Sequence, residues 1–373
     1  RVSFGLVRMA NIGPIFDGAL HLFRIGAPVG CRIHLCVYHS QFPLLIRSEI
    51  ERRLDTTLNR RKSETVFQLP DIRSKIDGAH EPDQLFIVLG SPVTEVGRDH
   101  SYNWGVVEPS SMRSLIQLAG RIERHRVKAC NEPNMMIFDS NLRHFEHPNT
   151  AAFCMPGFEG DNEFRLTEHR LHKLLDEDEF AAIDARPRIV ARPKTLRRPR
   201  ENLVDLEHAR LEEKMIPPEP TTLTPRQQLA RRQPPLPPLG AHSWWTIPRA
   251  SLTAVLQQQD PFRHDTQKRK DLVLLPDEDE EAYRLAYVHR PNRQEQNYVF
   301  IEDSHNHRVE DSAVQGTGIS AWMEIDYMRA LGDLARERGM DLESCAKRFG
   351  TVSLPDHELG WRFHPVLGFV RQP

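Results

Sequence analysis

A short stretch after position 110 carries residue types that suit phosphate chemistry. It fits the pattern Q-x-x-G-R-x-x-R through Gln117, Gly120, Arg121 and Arg124. On a helix, Gln117 and the two arginines would be spaced by four and three residues and would share one face. Guanidinium groups placed in this way can neutralise the charge that develops on a transferred γ-phosphoryl group, the role of an arginine finger. On the number of arginines alone, a solvated basic helix would be the better explanation.

A second polar stretch precedes the first. Residues Ile87 to Asp99 read as a strand that runs into a turn containing Ser91, Thr94, Gly97 and Asp99. In open parallel sheets, ligands bind beyond the carboxyl ends of the strands, where hydroxyls and a carboxylate can contact phosphates and a ribose. Taken alone, the stretch is equally well explained as an ordinary strand-to-helix loop. Its position just before the arginine pattern favours a nucleotide-driven function.

Regular elements must position these residues. Up to about residue 140, strand-like runs alternate with segments of helical period, which is typical of a doubly wound α/β domain. The predicted strands are Ser3–Met9, Ile33–Tyr38, Leu85–Leu89, Gly105–Val107 and Met135–Phe138. The predicted helices are Ile15–Phe23, Leu44–Leu58 and Ser111–Arg124.

The composition divides the chain into three parts: the α/β domain over 1–140, a connecting segment over 141–240, and a smaller mixed α+β domain over 241–373. The connecting segment contains a basic run from Arg186 to Arg200, which suits phosphate binding and a solvated connector equally well. It also contains a helix at Leu203–Met215 and eight prolines between Pro217 and Pro238, which predict an extended linker. A further helix is predicted at Ile325–Arg338.

Whole-chain properties exclude several classes of protein. The formal net charge of −2 gives no overall attraction to nucleic acid or to an anionic membrane, so such binding would need local patches. The five cysteines form no CxxC pair, so neither a disulfide framework nor a zinc site is expected, and a cytoplasmic location fits best. No membrane partner is expected, because no apolar run of about 18 residues occurs. The chain begins without methionine, and we expect further residues upstream.

The two polar stretches together carry a resemblance to a known family. A turn with Gly-x-Asp followed by Q-x-x-G-R-x-x-R resembles motifs V and VI of superfamily 2 helicases. The longer stretch LGSPVTEVGRDHSYNWGVVEPSSMRSLIQLAGRIERHR is similar to the CRISPR-associated helicase-nuclease of type I-F systems. The stretches GLVRMANIGPIFDGALHLF, RIHLCVYHSQFPLLIRSEIERRLD, NLRHFEHP, AFCMPGFEG and VDLEHARLEEKM also resemble that family. The implied fold is a RecA-like parallel sheet with flanking helices, the second helicase lobe, followed by a linker and a mixed α+β accessory domain.

The resemblance also implies roles for individual residues. The ATP site would include Gly97, Asp99, Gln117, Arg121 and Arg124. The last three would be catalytic, with the two arginines acting as sensor and finger. The path of single-stranded DNA would pass Asn11, His39, Ser91 and Pro92. Many relatives have threonine where this chain has Ser91, but the hydroxyl is retained.

Cofactors and partners follow from the same resemblance. ATP and Mg²⁺ would drive the full-length enzyme along DNA in the 3′-to-5′ direction, while a separate nuclease domain degrades the strand. The sequence contains no G-x-x-x-x-G-K-[ST] loop, and no acidic box is expected to hold Mg²⁺, so the Mg²⁺ and nuclease-metal ligands are expected outside this chain, which alone would be inactive. Expected partners are single-stranded DNA, a CRISPR RNA-guided surveillance complex, the CRISPR integrase and the N-terminal remainder of the same protein. The alternatives are a non-catalytic scaffold derived from a helicase lobe, and a superfamily 2 helicase that acts on RNA.

Overall fold

The computed structural model describes residues 1–96, 99–126, 130–154, 157–161, 163–216, 267–292, 295–302 and 306–373. These residues form two compact units. The first combines Arg1–Asn141 with Gln267–Pro373, and the second is Leu142–Thr266. The predicted linker and the tryptophan pair Trp244 and Trp245 lie outside the described residues. Among the helices that are described, none has the length and apolar character needed to cross a membrane.

The first unit is built on a six-stranded parallel sheet. Its strands are β1 (Val2–Arg8), β2 (Cys31–Tyr38), β3 (Asp83–Gly90), β4 (Trp104–Val107), β5 (Met135–Ile137) and β10 (Ile319–Ala321). They lie in the order β10-β2-β3-β1-β4-β5. The central strands read as nearly continuous apolar runs, because helices cover both faces of such a sheet. The predicted α/β fold is confirmed, and each of the five predicted strands is present with its ends shifted by at most two residues.

Helices connect these strands. They are α1 (Ile12–Ile25), α2 (Leu44–Leu58), α3 (Pro70–Asp77) and α4 (Met112–Ala119). Helix α2 has the predicted bounds and buries the face formed by Leu45, Ile46, Ile50 and Leu54. Helix α3 was not predicted. Its sequence gives it proline in the first turn, where the missing N–H costs no hydrogen bond.

Helix α4 ends at Ala119, so the prediction of a helix reaching Arg124 is wrong. Beyond Gly120 the backbone pairs with Tyr102 instead of continuing the helix. The N–H of Tyr102 donates to the carbonyl of Arg121 at 2.8 Å, and the N–H of Glu123 donates to the carbonyl of Tyr102 at 2.7 Å. Glu123 has φ of 50°, which no α-helical residue adopts. Gln117 and the two arginines therefore do not share one helical face.

Strand β10 comes from the far end of the chain and extends the sheet beside β2. The N–H of Ile33 donates to the carbonyl of Gly318, and the N–H of Trp322 donates to the carbonyl of Leu35, both at 2.8 Å. Trp322 is buried, and its ring meets that of Phe86 edge-on, with centroids 5.2 Å apart. Sequence patterning missed this strand, which joins the sheet through residues far from β2 in the chain.

The remaining C-terminal elements form two smaller sheets and two helices. The strands are β6 (Arg269–Pro276), β7 (Tyr283–His289), β8 (Asn297–Phe300), β9 (Asn306–Arg308), β11 (Thr351–Pro355), β12 (Trp361–His364) and β13 (Gly368–Arg371). The orders are β11-β6-β7-β8, which is antiparallel, and β13-β12-β9, which is mixed. The helices are α10 (Tyr327–Arg338) and α11 (Leu342–Phe349). The predicted mixed α+β region is confirmed, while the three-part domain division stays a prediction.

Among its described residues, the second unit contains four short helices and the longer α9. They are α5 (Leu142–Glu146), α6 (Leu171–Leu174), α7 (Glu177–Phe180), α8 (Arg186–Ile189) and α9 (Leu203–Met215). Helix α9 has the predicted bounds. The side chain of Asn202 caps it by accepting from the N–H of Asp205 at 3.0 Å, which satisfies a donor that the helix leaves open.

The basic run of the second unit is largely neutralised. At least six of its seven basic side chains pair with carboxylates, namely Arg186, Arg188, Arg192, Lys194, Arg197 and Arg198. Arg192 is held most tightly: its guanidinium lies 2.8 Å from Glu179 and 3.0 Å from Asp205, and both carboxylates are buried. Most of the run's positive charge thus lies beside a carboxylate, and its role as a connector or as a phosphate-binding surface stays a prediction.

Candidate functional site

A buried arginine network lies at the carboxyl end of β1. We use this name for Arg8, Glu95, Ser110 and Ser114, all of which are buried. The guanidinium of Arg8 donates to Glu95 Oε1 at 2.8 Å and to Ser110 Oγ at 2.7 Å. It also donates to the carbonyl of Glu108 at 2.7 Å, while Ser114 Oγ donates to Glu95 Oε2 at 2.8 Å. A buried charge persists only when it is paired, so this network fixes the loop after β3 against β1 and the start of α4.

Glu95 connects this network to the arginine pattern. Its carboxylate holds Arg8, while its backbone carbonyl accepts a hydrogen bond from Arg121 Nη2 at 2.8 Å. Arg121 is 6% exposed, and burial, with a smaller effect from nearby Arg124, holds its pKa below the usual value. Sequence reasoning missed both Arg8 and Glu95. The signal available in the sequence was the position of Arg8 at the end of an apolar strand. An arginine in such a position cannot be buried without a carboxylate partner.

A second group, the Asp99 cluster, consists of Asp99, Arg61, Arg124 and His125. Asp99 Oδ1 lies 2.9 Å from Arg124 Nε and 3.2 Å from His125 Nε2, and Oδ2 lies 2.7 Å from Arg61 Nη2. The hydrogen bond from His125 lowers the pKa of Asp99, and the two arginines add to the effect. The carboxylate is therefore ionised at neutral pH. The predicted neighbours Asp99 and Arg124 are in contact, and Arg61 and His125 join them without having been predicted.

The Asp99 cluster does not lie at the carboxyl edge of the sheet. Residues just before β4 run beside the end of α2, where the N–H of Ser101 donates to the carbonyl of Leu58 at 3.0 Å. The N–H of Asn103 then donates to the carbonyl of Phe4, early in β1, at 2.7 Å. Asp99 is thus near the amino ends of the strands. The expectation that it shares the carboxyl edge with the turn after β3 is wrong, because the chain must return to the amino end before β4 can run parallel to β1.

The other predicted residues are distributed over several surfaces. Gln117 has an exposed side chain on α4, and Asn11 is exposed at the start of α1. Ser91 is buried, and its N–H donates to the carbonyl of Tyr38 at 3.1 Å. Pro92 follows it, half-buried, at the start of a short 3₁₀ turn. Gly97 lies outside the described residues. Asn11, Ser91 and Pro92 follow β1 and β3, so they share the carboxyl edge of the sheet.

His39 is enclosed by the turn between β12 and β13. Its Nδ1 accepts the N–H of Gln41 at 3.1 Å, so the ring proton is on Nε2, which donates to the carbonyl of Leu367 at 2.8 Å. A Cβ on Gly368 would lie 2.6 Å from the His39 ring, so the turn passes over the imidazole at a distance that requires glycine. The ring has no exposed surface in this arrangement. A role for His39 on a DNA path stays a prediction.

The enclosed His39 should make stability depend on pH. Burial lowers its pKa from 6.5 to about 4. Between these values the unfolded chain binds a proton that the folded chain does not, so stability decreases as the pH falls from about 6.5 towards 4. We expect His39 to account for about 2 kcal/mol of the unfolding free energy lost between pH 7 and pH 5. Urea unfolding at both pH values should show a smaller loss for His39→Gln, whereas the exposed control His80→Gln should retain it. An undiminished loss in His39→Gln would contradict the prediction.

No group of three or more His, Cys, Asp or Glu side chains arranged to hold a metal ion is present among the described residues. The Asp99 cluster instead has partly exposed guanidinium groups that lie close together. Such groups can donate several hydrogen bonds to a polyphosphate. The Asp99 cluster is therefore the candidate site, and the chemistry that it fits is anion binding.

Comparisons with known proteins identify relatives of the whole chain. The model of the family described as CRISPR-associated nuclease/helicase Cas3, C-terminal, matches residues 1–127. The model described as CRISPR-associated Cas3 subtype I-F/YPEST-like, C-terminal domain, matches residues 274–371. The CRISPR-associated nuclease/helicase Cas3 subtype I-F/YPEST of Pseudomonas aeruginosa is 43% identical over all of this chain and 32% of its own length.

The protein of the same name from Pectobacterium atrosepticum is 37% identical over 98% of this chain and 32% of its own length. The chain thus spans about a third of the length of these curated relatives. A crystal structure described as T. fusca Cas3-ATP is 16% identical over 36% of this chain and 14% of that chain. Its TM-score with this chain is 0.29.

Proposed function

We propose that this chain, which belongs to the type I-F Cas3 family, is the C-terminal portion of an ATP-dependent single-stranded DNA translocase and nuclease. Its parallel sheet would be the second RecA-like lobe, and its C-terminal sheets would belong to the accessory domain. The observation that carries the proposal is the contact of Arg124 with Asp99, which joins the two sequence patterns that the helicase resemblance requires.

The different surroundings of the two arginines support different roles. Arg121 is almost fully buried and tied to the carbonyl of Glu95, so it suits a fixed sensor of the phosphates. The side chain of Arg124 is 43% exposed and reaches Asp99 from one side, so it suits a finger that contacts the γ-phosphate. Gln117 would face the nucleotide from α4. ATP would supply the transferable phosphoryl group, and Mg²⁺ would be held by residues outside this chain.

The carboxyl edge of the sheet suits the single-stranded DNA path. Asn11 and Ser91 follow neighbouring strands, β1 and β3, at that edge. Pro92 begins the 3₁₀ turn that ends at Glu95, whose carbonyl holds Arg121. A movement of this turn on the DNA side would therefore displace Arg121 in the ATP site. A CRISPR RNA-guided surveillance complex and the CRISPR integrase are proposed partners on the resemblance alone.

ATP turnover by the full-length protein tests the proposal. We expect single-stranded DNA to stimulate hydrolysis strongly and RNA of the same sequence to have little effect. Stimulation by RNA alone would support an RNA helicase. Turnover that is absent with either nucleic acid, from a protein that still binds its partners, would support the scaffold alternative.

A further inference from the structure

The Asp99 cluster contains a cation that the helicase pattern does not assign. We propose that Arg61 is a second arginine that contacts the phosphates of the nucleotide, placed beside Arg124 by His125. This inference rests on the proposed function, because it assumes that Arg124 meets the nucleotide.

Arg61 and Arg124 pair with different oxygens of the Asp99 carboxylate. Arg61 Nη2 lies 2.7 Å from Asp99 Oδ2, and Arg124 Nε lies 2.9 Å from Asp99 Oδ1. The oxygens of one carboxylate are no farther apart than those of one phosphate group, so an anion that reaches Arg124 is also within reach of Arg61. The side chain of Arg61 is 70% exposed and can follow such a ligand.

His125 holds the segment that carries Arg61. The backbone N–H of Arg60 donates to His125 Nδ1 at 3.1 Å, which places the ring proton on Nε2, facing Asp99. The guanidinium of Arg60 is also fixed, since Nη1 donates to Asn103 Oδ1 at 3.0 Å. The residue before Arg61 is thus anchored through both its backbone and its side chain. The position of Arg61 beside Asp99 follows from this anchoring of the backbone.

Stability gives little reason for this arrangement. Exposed ion pairs contribute little to folding, and Asp99 carries a single negative charge for two arginines. A triphosphate carries more charge than one carboxylate and offers oxygens that match the fork of a guanidinium. The cluster is therefore better matched to a polyphosphate than to Asp99 alone, and Asp99 keeps the two arginines together until a nucleotide arrives.

Substitution of Arg61 in the full-length protein tests the inference. We expect Arg61→Gln to raise the KM for ATP, or lower kcat, by about tenfold or more, which is the cost of losing a hydrogen bond to a charged group. Arg61→Lys should recover part of the loss, because it keeps the charge without the fork. The control is Arg73→Gln, since Arg73 is also exposed and paired with a carboxylate, Asp77, at 2.7 Å. Unchanged thermal unfolding would show that the variants are folded.

The possible outcomes separate this inference from the proposed function. If Arg61→Gln and Arg73→Gln agree within about twofold in both KM and kcat, Arg61 does not contact the nucleotide. A loss of turnover in Arg124→Ala would still uphold the proposed function in that case. If His125 positions Arg61, the double variant His125→Ala/Arg61→Gln should change the KM for ATP by less than the two single effects combined. Additive effects would show that His125 does not place Arg61.

Discussion

Replacing Arg124 with alanine in the full-length protein is expected to lower DNA-stimulated ATP turnover by about 10³-fold or more, the effect typical of losing an arginine finger. The charge that develops on the γ-phosphoryl group would lose the cation that the proposed function assigns to it. Arg121 cannot replace it, because its guanidinium is held by the carbonyl of Glu95. The measurement is kcat at saturating ATP and single-stranded DNA, so that weaker binding of either ligand does not contribute.

The fold should tolerate this change. The side chain of Arg124 is partly exposed, and its ion pair with Asp99 is open to solvent, so thermal unfolding should be almost unchanged. Arg126→Ala is the matched control, because Arg126 is two residues away, similarly exposed and also paired with a carboxylate, Glu123. Turnover at the wild-type level in Arg124→Ala would show that the finger assignment is wrong.

Replacing Arg8 with methionine is expected to lower the free energy of unfolding by about 3–5 kcal/mol, because Glu95 would remain buried without its charged partner. Arg8 has no exposed surface and donates to Glu95, Ser110 and the carbonyl of Glu108. Methionine fills a similar space but supplies no donor. Urea unfolding at neutral pH measures the loss.

A double-mutant cycle separates pairing from packing. Glu95→Gln removes the other charge of the pair, so the double variant Arg8→Met/Glu95→Gln should lose less stability than the two single losses added together. A coupling of about 1 kcal/mol or more is expected for residues in direct contact. Strict additivity would mean that the two side chains contribute independently, and the network would then have no cooperative role.

Features controlled by neighbouring residues could be predicted from the sequence. The bounds of α2 and α9 are as predicted, because the apolar spacing of both helices, and for α9 also its capping residue Asn202, lie within a few positions of each other. The sequence could also predict that Asp99 and Arg124 belong to one site, because the two patterns that contain them follow each other in the order expected of the family. The structure shows the two side chains in contact.

Features set by distant parts of the chain could not be predicted. Arg8 and Glu95 are 87 residues apart, and neither belongs to a pattern that identifies the other as its partner. Helix α4 stops at Ala119 because Tyr102, in a preceding segment, takes up the backbone groups that would continue it. Propensity alone favours a longer helix there, and tertiary hydrogen bonds override it.

Strand β10 also limits where the chain can be divided. A boundary near residue 141, chosen from composition, would leave behind the strand that covers the edge of β2 and the indole that packs against Phe86. The shortened lobe would present an open row of backbone donors and acceptors next to a vacated apolar site, and such edges recruit other chains. The parallel sheet is thus completed by Ile319–Ala321, which follow its other five strands in the chain only after the whole of the second unit.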